Sequence, residues 1–217
     1  MIKNFPICDE FLEYYKMPRT LKDYFKDNNL LGKDSLDVIK FLLDNRHLKW
    51  ASWVLARVLE KDDRIYYSID LIELVIPYYE KNMLGVTEPI EILNYSKELL
   101  EQKNKDAALI EASYLRNLTR NSIKLGDVLL EEFFAKKNVS VSLNCYNILQ
   151  AILYNSFAIC DRASYMINDN YNLQLNINYN NIKSTDALIN ALLDIINHSK
   201  IRNVIEKNLI KLENTYE

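Results

Sequence analysis

Glycine is scarce along this chain, because its 217 residues include only three glycines, together with four prolines. The tight turns between neighbouring β-strands often need a residue with positive φ, and glycine adopts that conformation without steric cost. A sheet protein of this length would need more glycines than are present. The composition therefore predicts an all-α protein.

The same scarcity bears on catalysis. Phosphate-binding loops, dinucleotide-binding fingerprints and nucleophile elbows all depend on glycines at set positions, whereas Gly32, Gly85 and Gly126 stand far apart. We therefore predict that the chain is not an enzyme. An active site inside a helical bundle stays open as a further class.

The chain is long enough for one sizeable hydrophobic core. Its 49% hydrophobic and 26% charged residues are ordinary for a globular protein. We predict a single all-helical domain over residues 1–217, and the alternative is two sub-lobes, 1–103 and 104–217. Abundant Asn, Ile, Lys and Tyr are typical of AT-rich coding, which indicates a bacterial or phage source.

The charge, hydropathy and cysteine content of the chain limit the classes of partner and the compartment that we expect. The formal net charge is −3, so the chain lacks the basic surplus with which nucleic-acid-binding proteins neutralise phosphates. It also contains neither an apolar run of bilayer-spanning length nor a signal-peptide core. Cys8, Cys145 and Cys160 lack CxxC spacing, which indicates free thiols. We predict a cytoplasmic protein that binds neither nucleic acid nor membrane.

Histidine is too rare to indicate a metal centre. Asp44 precedes His47 by three residues and Asp194 precedes His198 by four, and these are the chain's only histidines. Such spacing places each pair on one helix face, but a metal site in a bundle needs further ligands. We predict no cofactor and no metal, and we interpret both histidines as residues at helix ends.

Caps, breakers and apolar spacing divide the chain into about nine to ten helices, which we expect to form a bundle or a short solenoid. The segment Ser142 to Met166 carries few charges and predicts a long buried helix. Gly126 predicts a helix end. Pro77 predicts a kink or a break within a helix from Arg64 to Asn82.

Residues 168–181 form an asparagine-rich tract. Within it Leu173, Leu175, Ile177 and Tyr179 alternate strictly with polar residues, which is the periodicity of a strand. We predict a short hairpin or an extended flap near residues 170–181, with an ordered loop as the alternative. The tract could bind a partner or simply connect two helices.

Aromatic residues mark the candidate binding surface. Trp50 and Trp53 are three residues apart, and Arg57 lies four residues beyond. Trp, Tyr and Arg dominate protein interfaces, and the fifteen tyrosines are rigid and amphipathic, as recognition surfaces require. A place in the core is the other interpretation of these rings. The residues that we predict to contact a partner are Trp50, Trp53, Arg57, Arg64, Tyr66, Tyr67, Tyr78 and Tyr79.

The stretch Arg46 to Leu59, followed by Arg64, Ile69 and residues 76–80, resembles the opening of a group of immunity proteins from bacterial polymorphic toxin systems. The small-residue segment Ala107 to Ser122 is similar to the alanine-rich helices that follow in that group. The resemblance implies an all-helical protein that binds a cognate toxin tightly. It also implies that binding blocks the toxin's active site or an essential surface.

We therefore predict a protein-binding immunity or inhibitor protein that occludes a partner such as a bacterial toxin. The mild acidity suits a basic toxin through complementary potential. The alternative is a helical scaffold or a regulatory adaptor, including a phage protein that acts against a host defence system. The sequence leaves homodimerisation open.

Overall fold

A computed structural model describes residues 6–135, 138–168 and 170–216. Helices dominate these ranges, which contain no β-strand, only an isolated bridge between Pro6 and Asp34. The all-α prediction is confirmed. The helices are α1 (Asp9–Tyr14), α2 (Arg19–Asp27), α3 (Ser35–Asp44), α4 (Leu48–Val58), α5 (Lys61–Asn82), α6 (Glu88–Glu101), α7 (Lys105–Asn121), α8 (Ile123–Phe134), α9 (Val139–Tyr165), α10 (Tyr171–Ile195) and α11 (His198–Tyr216).

The helices divide into two compact units. The first unit takes the chain as far as Glu60 and resumes at His198, and the second unit runs from Lys61 to Asn197. The boundary that the sequence offered for two sub-lobes, between residues 103 and 104, falls inside the second unit.

The first unit contains α1–α4 and α11. Helices α3 and α4 pack against each other, and α11 packs on both. Asp34 caps α3, because its side chain accepts the N–H of Leu36 at 2.8 Å. Ile7 exchanges backbone hydrogen bonds of 2.9 Å with Lys33 and Gly32, which fixes the chain ahead of α1. Residues that are buried at this core include Val38, Leu42, Val54, Leu55, Ile201 and Ile205.

The second unit is built around α9, which contacts α5, α6, α7, α8 and α10. This helix is apolar around most of its circumference, so it can be buried by neighbours on several sides. The prediction of a long buried helix is confirmed. Two short hydrogen bonds satisfy polar groups of this helix: Ser156 Oγ lies 2.7 Å from Thr119 Oγ1, and the Ser184 hydroxyl donates to the carbonyl of Ala151 at 2.7 Å.

The prediction that Gly126 ends a helix is wrong, since Gly126 lies inside α8. The break occurs earlier, at Ser122, between α7 and α8. A Cβ at Gly126 would lie 3.1 Å from Gln150 Nε2 and 3.6 Å from Tyr146 Cε2, both on α9. This glycine therefore faces α9, and a methyl group there would displace only the flexible end of the Gln150 side chain.

The prediction of an extended flap near residues 170–181 is also wrong, because this tract forms the first half of α10. Residue 169 lies outside the described residues. Asn170 begins the helix by accepting the N–H of Asn172 at 2.9 Å. The alternating pattern does not match a helix face, so Ile177 is fully buried while Leu175 and Tyr179 are 38% and 57% exposed. Tertiary packing of α10 on α5 and α9 overrides the local periodicity.

A break at Pro77 does not occur, because α5 continues through it from Lys61 to Asn82. Proline removes the hydrogen bond to the carbonyl four residues earlier, which here belongs to Glu73. Both residues are exposed, so water can take the place of the missing N–H donor.

Candidate protein-binding surface

Helix α4 places the two tryptophans. Trp50 and Trp53 are three residues apart, so they lie on neighbouring positions of one side of the helix. Ala51, Val54 and Leu55 on the other side are buried, and they hold α4 against the core. Both indole rings are half-buried. The packing of one face therefore leaves both rings at the edge of the first unit.

Trp53 belongs to an aromatic cluster with α1. Its ring meets Phe11 edge-on at a centroid distance of 6.3 Å and Tyr15 at 6.5 Å. Phe11 and Tyr15 are 4.8 Å apart, and Tyr14 lies edge-on to Tyr15 at the same distance. Edge-on and tilted contacts are favourable arrangements for aromatic quadrupoles. The exposed Tyr14 carries this cluster to the surface.

Arg57 supports Trp53 from beneath. Its guanidinium carbon lies 3.8 Å from the centroid of the Trp53 ring and 5.7 Å from that of Tyr15. Arg57 Nη1 donates to the Trp53 carbonyl at 3.0 Å, and the Tyr15 hydroxyl donates to the Arg57 carbonyl at 3.4 Å. Because Arg57 is itself buried, it positions the indole by cation–π stacking and does not present its charge at the surface.

Trp50 belongs to a second aromatic cluster. Its ring stacks on His47 at a centroid distance of 4.4 Å, and Tyr24 of α2 packs against both, 4.7 Å from Trp50 and 4.6 Å from His47. His47 is the N-cap residue of α4, but its side chain makes no capping hydrogen bond. We call the two clusters together the aromatic surface, and its residues are Phe11, Tyr14, Tyr15, Tyr24, His47, Trp50 and Trp53.

The remaining predicted contact residues lie on α5 in the second unit. Tyr67 and Tyr79 are fully buried, so their rings belong to the core and do not lie on the surface. Burial raises the pKa of Tyr79, and its hydroxyl has no hydrogen-bond partner within the described ranges. The expectation of surface contact does not hold for these two rings.

The other three predicted contact residues on α5 differ in how far they are buried. Arg64 is buried, and its Nη1 donates to Asn178 Oδ1 at 2.9 Å. The half-buried Tyr66 donates to Glu101 Oε1 at 2.9 Å, and burial followed by this bond raises its pKa. Tyr78 is half-buried. Of the predicted set, Trp53 joins an aromatic cluster with Phe11 and Tyr15, and Trp50 joins a second one with Tyr24 and His47.

Apart from the two tryptophans, the residues of the aromatic surface are not among the eight that we predict to contact a partner. The adjacent Tyr14 and Tyr15 in a short aromatic segment were a signal for the first cluster. No local signal connects Tyr24 with Trp50, because their contact joins α2 to α4 across the unit.

The thiols of Cys145 and Cys160 do not resemble catalytic groups. Burial raises the pKa of Cys145 to about 11 and that of Cys160 to about 12, so both are protonated at neutral pH. Reactive thiols instead have lowered pKa values and solvent access. In the parts of the chain that the structure describes, no three His, Cys, Asp or Glu side chains gather as a metal site would require.

Two ion pairs tie the helices of the second unit together. Arg162 donates to both carboxylate oxygens of Asp62 at 2.8 and 2.9 Å, which links α9 to α5. Arg116 Nη2 donates to Asp161 Oδ1 at 2.9 Å, which links α7 to α9. Burial raises the pKa of Asp161, and Arg116 opposes that shift. Both carboxylates are engaged by arginine, so we interpret these pairs as structural.

A cavity of about 250 Å³ lies in the first unit, beside the start of α11. Arg46, His198 and Arg202 contribute to its lining. Arg202 is already bound, since it donates to the Leu43 carbonyl at 2.9 Å and to Glu206 at 2.6 Å. The charge of Arg202 is therefore engaged within the protein.

None of the helices in the described ranges has both the length and the apolar character needed to cross a bilayer. Comparison with protein-family models, with characterised proteins and with solved structures finds no match to this chain.

Proposed function

We propose that this chain is a protein-binding protein of the immunity or inhibitor type, which occludes a partner such as a bacterial toxin. The observation that carries the proposal is the aromatic surface, where half-buried rings from α1, α2 and α4 stand together. Trp and Tyr are the residues that most often supply the binding energy of protein interfaces. The immunity form of the proposal rests on the resemblance of residues 46–59, which include Trp50 and Trp53.

The aromatic surface is preorganised for binding. Trp53 is held by ring contacts and by the Arg57 guanidinium 3.8 Å away, and Trp50 is held between His47 and Tyr24. A side chain that is already ordered loses less conformational freedom when a partner binds, and this loss otherwise amounts to about 0.5–1.5 kcal/mol for each side chain. More of the interaction energy then appears as affinity.

The proposal includes action in the cytoplasm, where thiols stay reduced, because all three cysteines are free. The mechanism is steric: the partner's functional surface is covered when its side chains pack against the aromatic surface. A helical scaffold or adaptor would use the same rings for a different partner, and the identity of that partner separates the two functions.

The test is co-expression with the product of the gene immediately upstream, scored by bacterial growth and by calorimetry with the purified pair. We expect growth to be rescued by the wild-type chain. Trp50→Ala and Trp53→Ala should each weaken binding by about thirtyfold, the effect of an interface hot spot of about 2 kcal/mol. The matched control is Tyr171→Ala, which removes an exposed ring from the second unit and should leave affinity unchanged.

Because each tryptophan is half-buried, its loss could also loosen the first unit. Tyr14→Ala removes a ring that is largely exposed, so it should weaken binding while leaving the free energy of unfolding within about 0.5 kcal/mol of wild type. Binding that is unaffected by all three substitutions contradicts the proposal. If the same rings bind a host protein and no toxin, the adaptor function is favoured.

A further inference from the structure

A second exposed apolar face lies where α6 and α7 pack together in the second unit. Ile110 is 73% exposed, Tyr114 is 54% exposed and Tyr95 is 41% exposed. Ile110 and Tyr114 are one turn apart on α7, and the rings of Tyr114 and Tyr95 are 5.2 Å apart. We call these three residues, with the glutamates beside Tyr95, the α6–α7 face.

Acidic side chains border this face. Glu91 and Glu98 lie one turn before and one turn after Tyr95 on α6. The Tyr114 phenol raises the pKa of Tyr95 most, burial raises it next, and the charges of Glu98 and Glu91 raise it further. The face therefore combines exposed apolar surface with a negative potential.

The rest of α6 adds to that potential. Its sequence contains four glutamates and a single basic residue, Lys97. Lys97 Nζ is bound to Glu73 of α5 at 2.5 Å, so its charge is already paired. The charge on the exposed side of α6 is therefore negative, which disfavours a nucleic acid or an anionic lipid surface as the occupant.

We propose that the α6–α7 face binds a basic amphipathic segment of a partner protein. Apolar side chains of the segment pack on Ile110, Tyr114 and Tyr95, and its lysines or arginines lie against Glu91 and Glu98. Complementary charge steers association and suppresses wrong partners, while the exposed apolar groups supply affinity. This inference shares with the proposed function only the assumption that the chain binds a protein. The two surfaces are separate, because the α6–α7 face lies in the second unit and the aromatic surface lies in the first.

The test uses a fluorescein-labelled amphipathic peptide of leucine and lysine, measured by fluorescence anisotropy with the full chain. A peptide in which glutamate replaces every lysine is the matched probe. We expect the lysine peptide to bind, the glutamate peptide to bind at least about tenfold more weakly, and affinity to fall as salt is added.

Substitutions at the α6–α7 face test whether the peptide binds there. The double variant Glu91→Lys with Glu98→Lys and the single variant Ile110→Ser should each weaken the lysine peptide by about tenfold or more. The control is Glu80→Lys with Glu131→Lys, which makes the same change in net charge at exposed positions elsewhere in the second unit and should change affinity by less than about threefold.

Three outcomes overturn the inference: no binding of the lysine peptide, equal binding of the glutamate peptide, or equal weakening by the control pair. Trp50→Ala and Trp53→Ala serve to separate this inference from the proposed function. If they abolish binding of the toxin while the α6–α7 variants leave the peptide unaffected, the proposed function stands and the inference fails. If peptide binding depends on Glu91 and Glu98 but no toxin binds, the inference stands alone.

Discussion

Residues 171–181 form the first half of α10, where the sequence predicts an extended flap. Replacing Ile177 or Leu175 with asparagine tests this helical structure. Ile177 and Leu175 share one face if the tract is a strand, because side chains two residues apart point the same way. In the helix they diverge: Ile177 is fully buried and Leu175 is 38% exposed. Ile177→Asn and Leu175→Asn should therefore destabilise the protein to very different extents.

The expected magnitudes follow from burial. At position 177 the substitution forfeits about 2–3 kcal/mol of apolar burial and leaves an amide without partners, at about 1–3 kcal/mol. The free energy of unfolding should fall by roughly 3–6 kcal/mol. At position 175 solvent already covers part of the side chain, so the loss of burial is at most about 1.5 kcal/mol and the new amide can reach water.

Urea unfolding followed by far-UV circular dichroism measures both variants, with linear extrapolation to water. Circular dichroism is the appropriate probe because both tryptophans lie in the first unit and their fluorescence reports there. If Ile177→Asn does not fold, Ile177→Val should still lower the free energy of unfolding by about 0.5–1.5 kcal/mol. Equal losses for Ile177→Asn and Leu175→Asn would refute the helical register.

Three further predictions concern the core of the second unit and the thiols. Gly126→Ala should raise the free energy of unfolding by up to about 1 kcal/mol, because alanine favours the helix and the nearest atom is a flexible amide nitrogen 3.1 Å away; a lowered thermal midpoint would contradict this. At pH 8, iodoacetamide should label the partly exposed Cys8 before the two buried cysteines, as followed by mass spectrometry. Because the pKa values of Cys145 and Cys160 are about 11 and 12, only about one Cys145 thiol in a thousand is ionised at this pH, and even fewer Cys160 thiols are. Equal labelling rates for the three cysteines would refute this prediction. The raised pKa of Asp161 means that the folded state binds its proton more tightly than the unfolded state, so this group's contribution to stability grows as pH falls through the folded pKa and levels off below the unfolded value of about 4. Urea midpoints between pH 4 and 7 should therefore rise less on acidification, or fall more, in Asp161→Asn than in wild type, and parallel profiles would disprove it.

Local patterns were sufficient for several helices. Few charges between Ser142 and Met166 predict a long buried helix, and α9 spans Val139–Tyr165. Asp34 or Ser35 ahead of an apolar stripe is typical of a helix start, and the Asp34 side chain makes the capping bond of α3. These features depend on residues within a few turns of one another, so the sequence carries them directly.

Other features depend on packing between distant segments. The pattern around Ile177 is that of a strand, yet contacts of α10 with α5 and α9 hold it as a helix. Gly126 looks like a helix end, but it lies inside α8, where it faces Gln150 and Tyr146 of α9. In both cases the decisive neighbour is remote in the sequence, and a local pattern contains no information about it.

The candidate binding site divides in the same way. The sequence indicated Trp50 and Trp53, and both contribute to the aromatic surface. It also indicated Arg57, which lies beneath Trp53 and positions it. The contact between Tyr24 and Trp50 joins two helices, and only the assembled unit reveals it.

By itself the sequence determined that this protein is helical, because it lacks the glycines of a sheet protein and carries helix caps and helical apolar spacing. It could not determine which of two adjacent tyrosines is exposed. Tyr66 reaches Glu101 while Tyr67 is fully buried, and Tyr78 is half-buried while Tyr79 belongs to the core. Consecutive residues of a helix point about 100° apart, so the face that a neighbouring helix covers decides whether a ring joins the core or the surface.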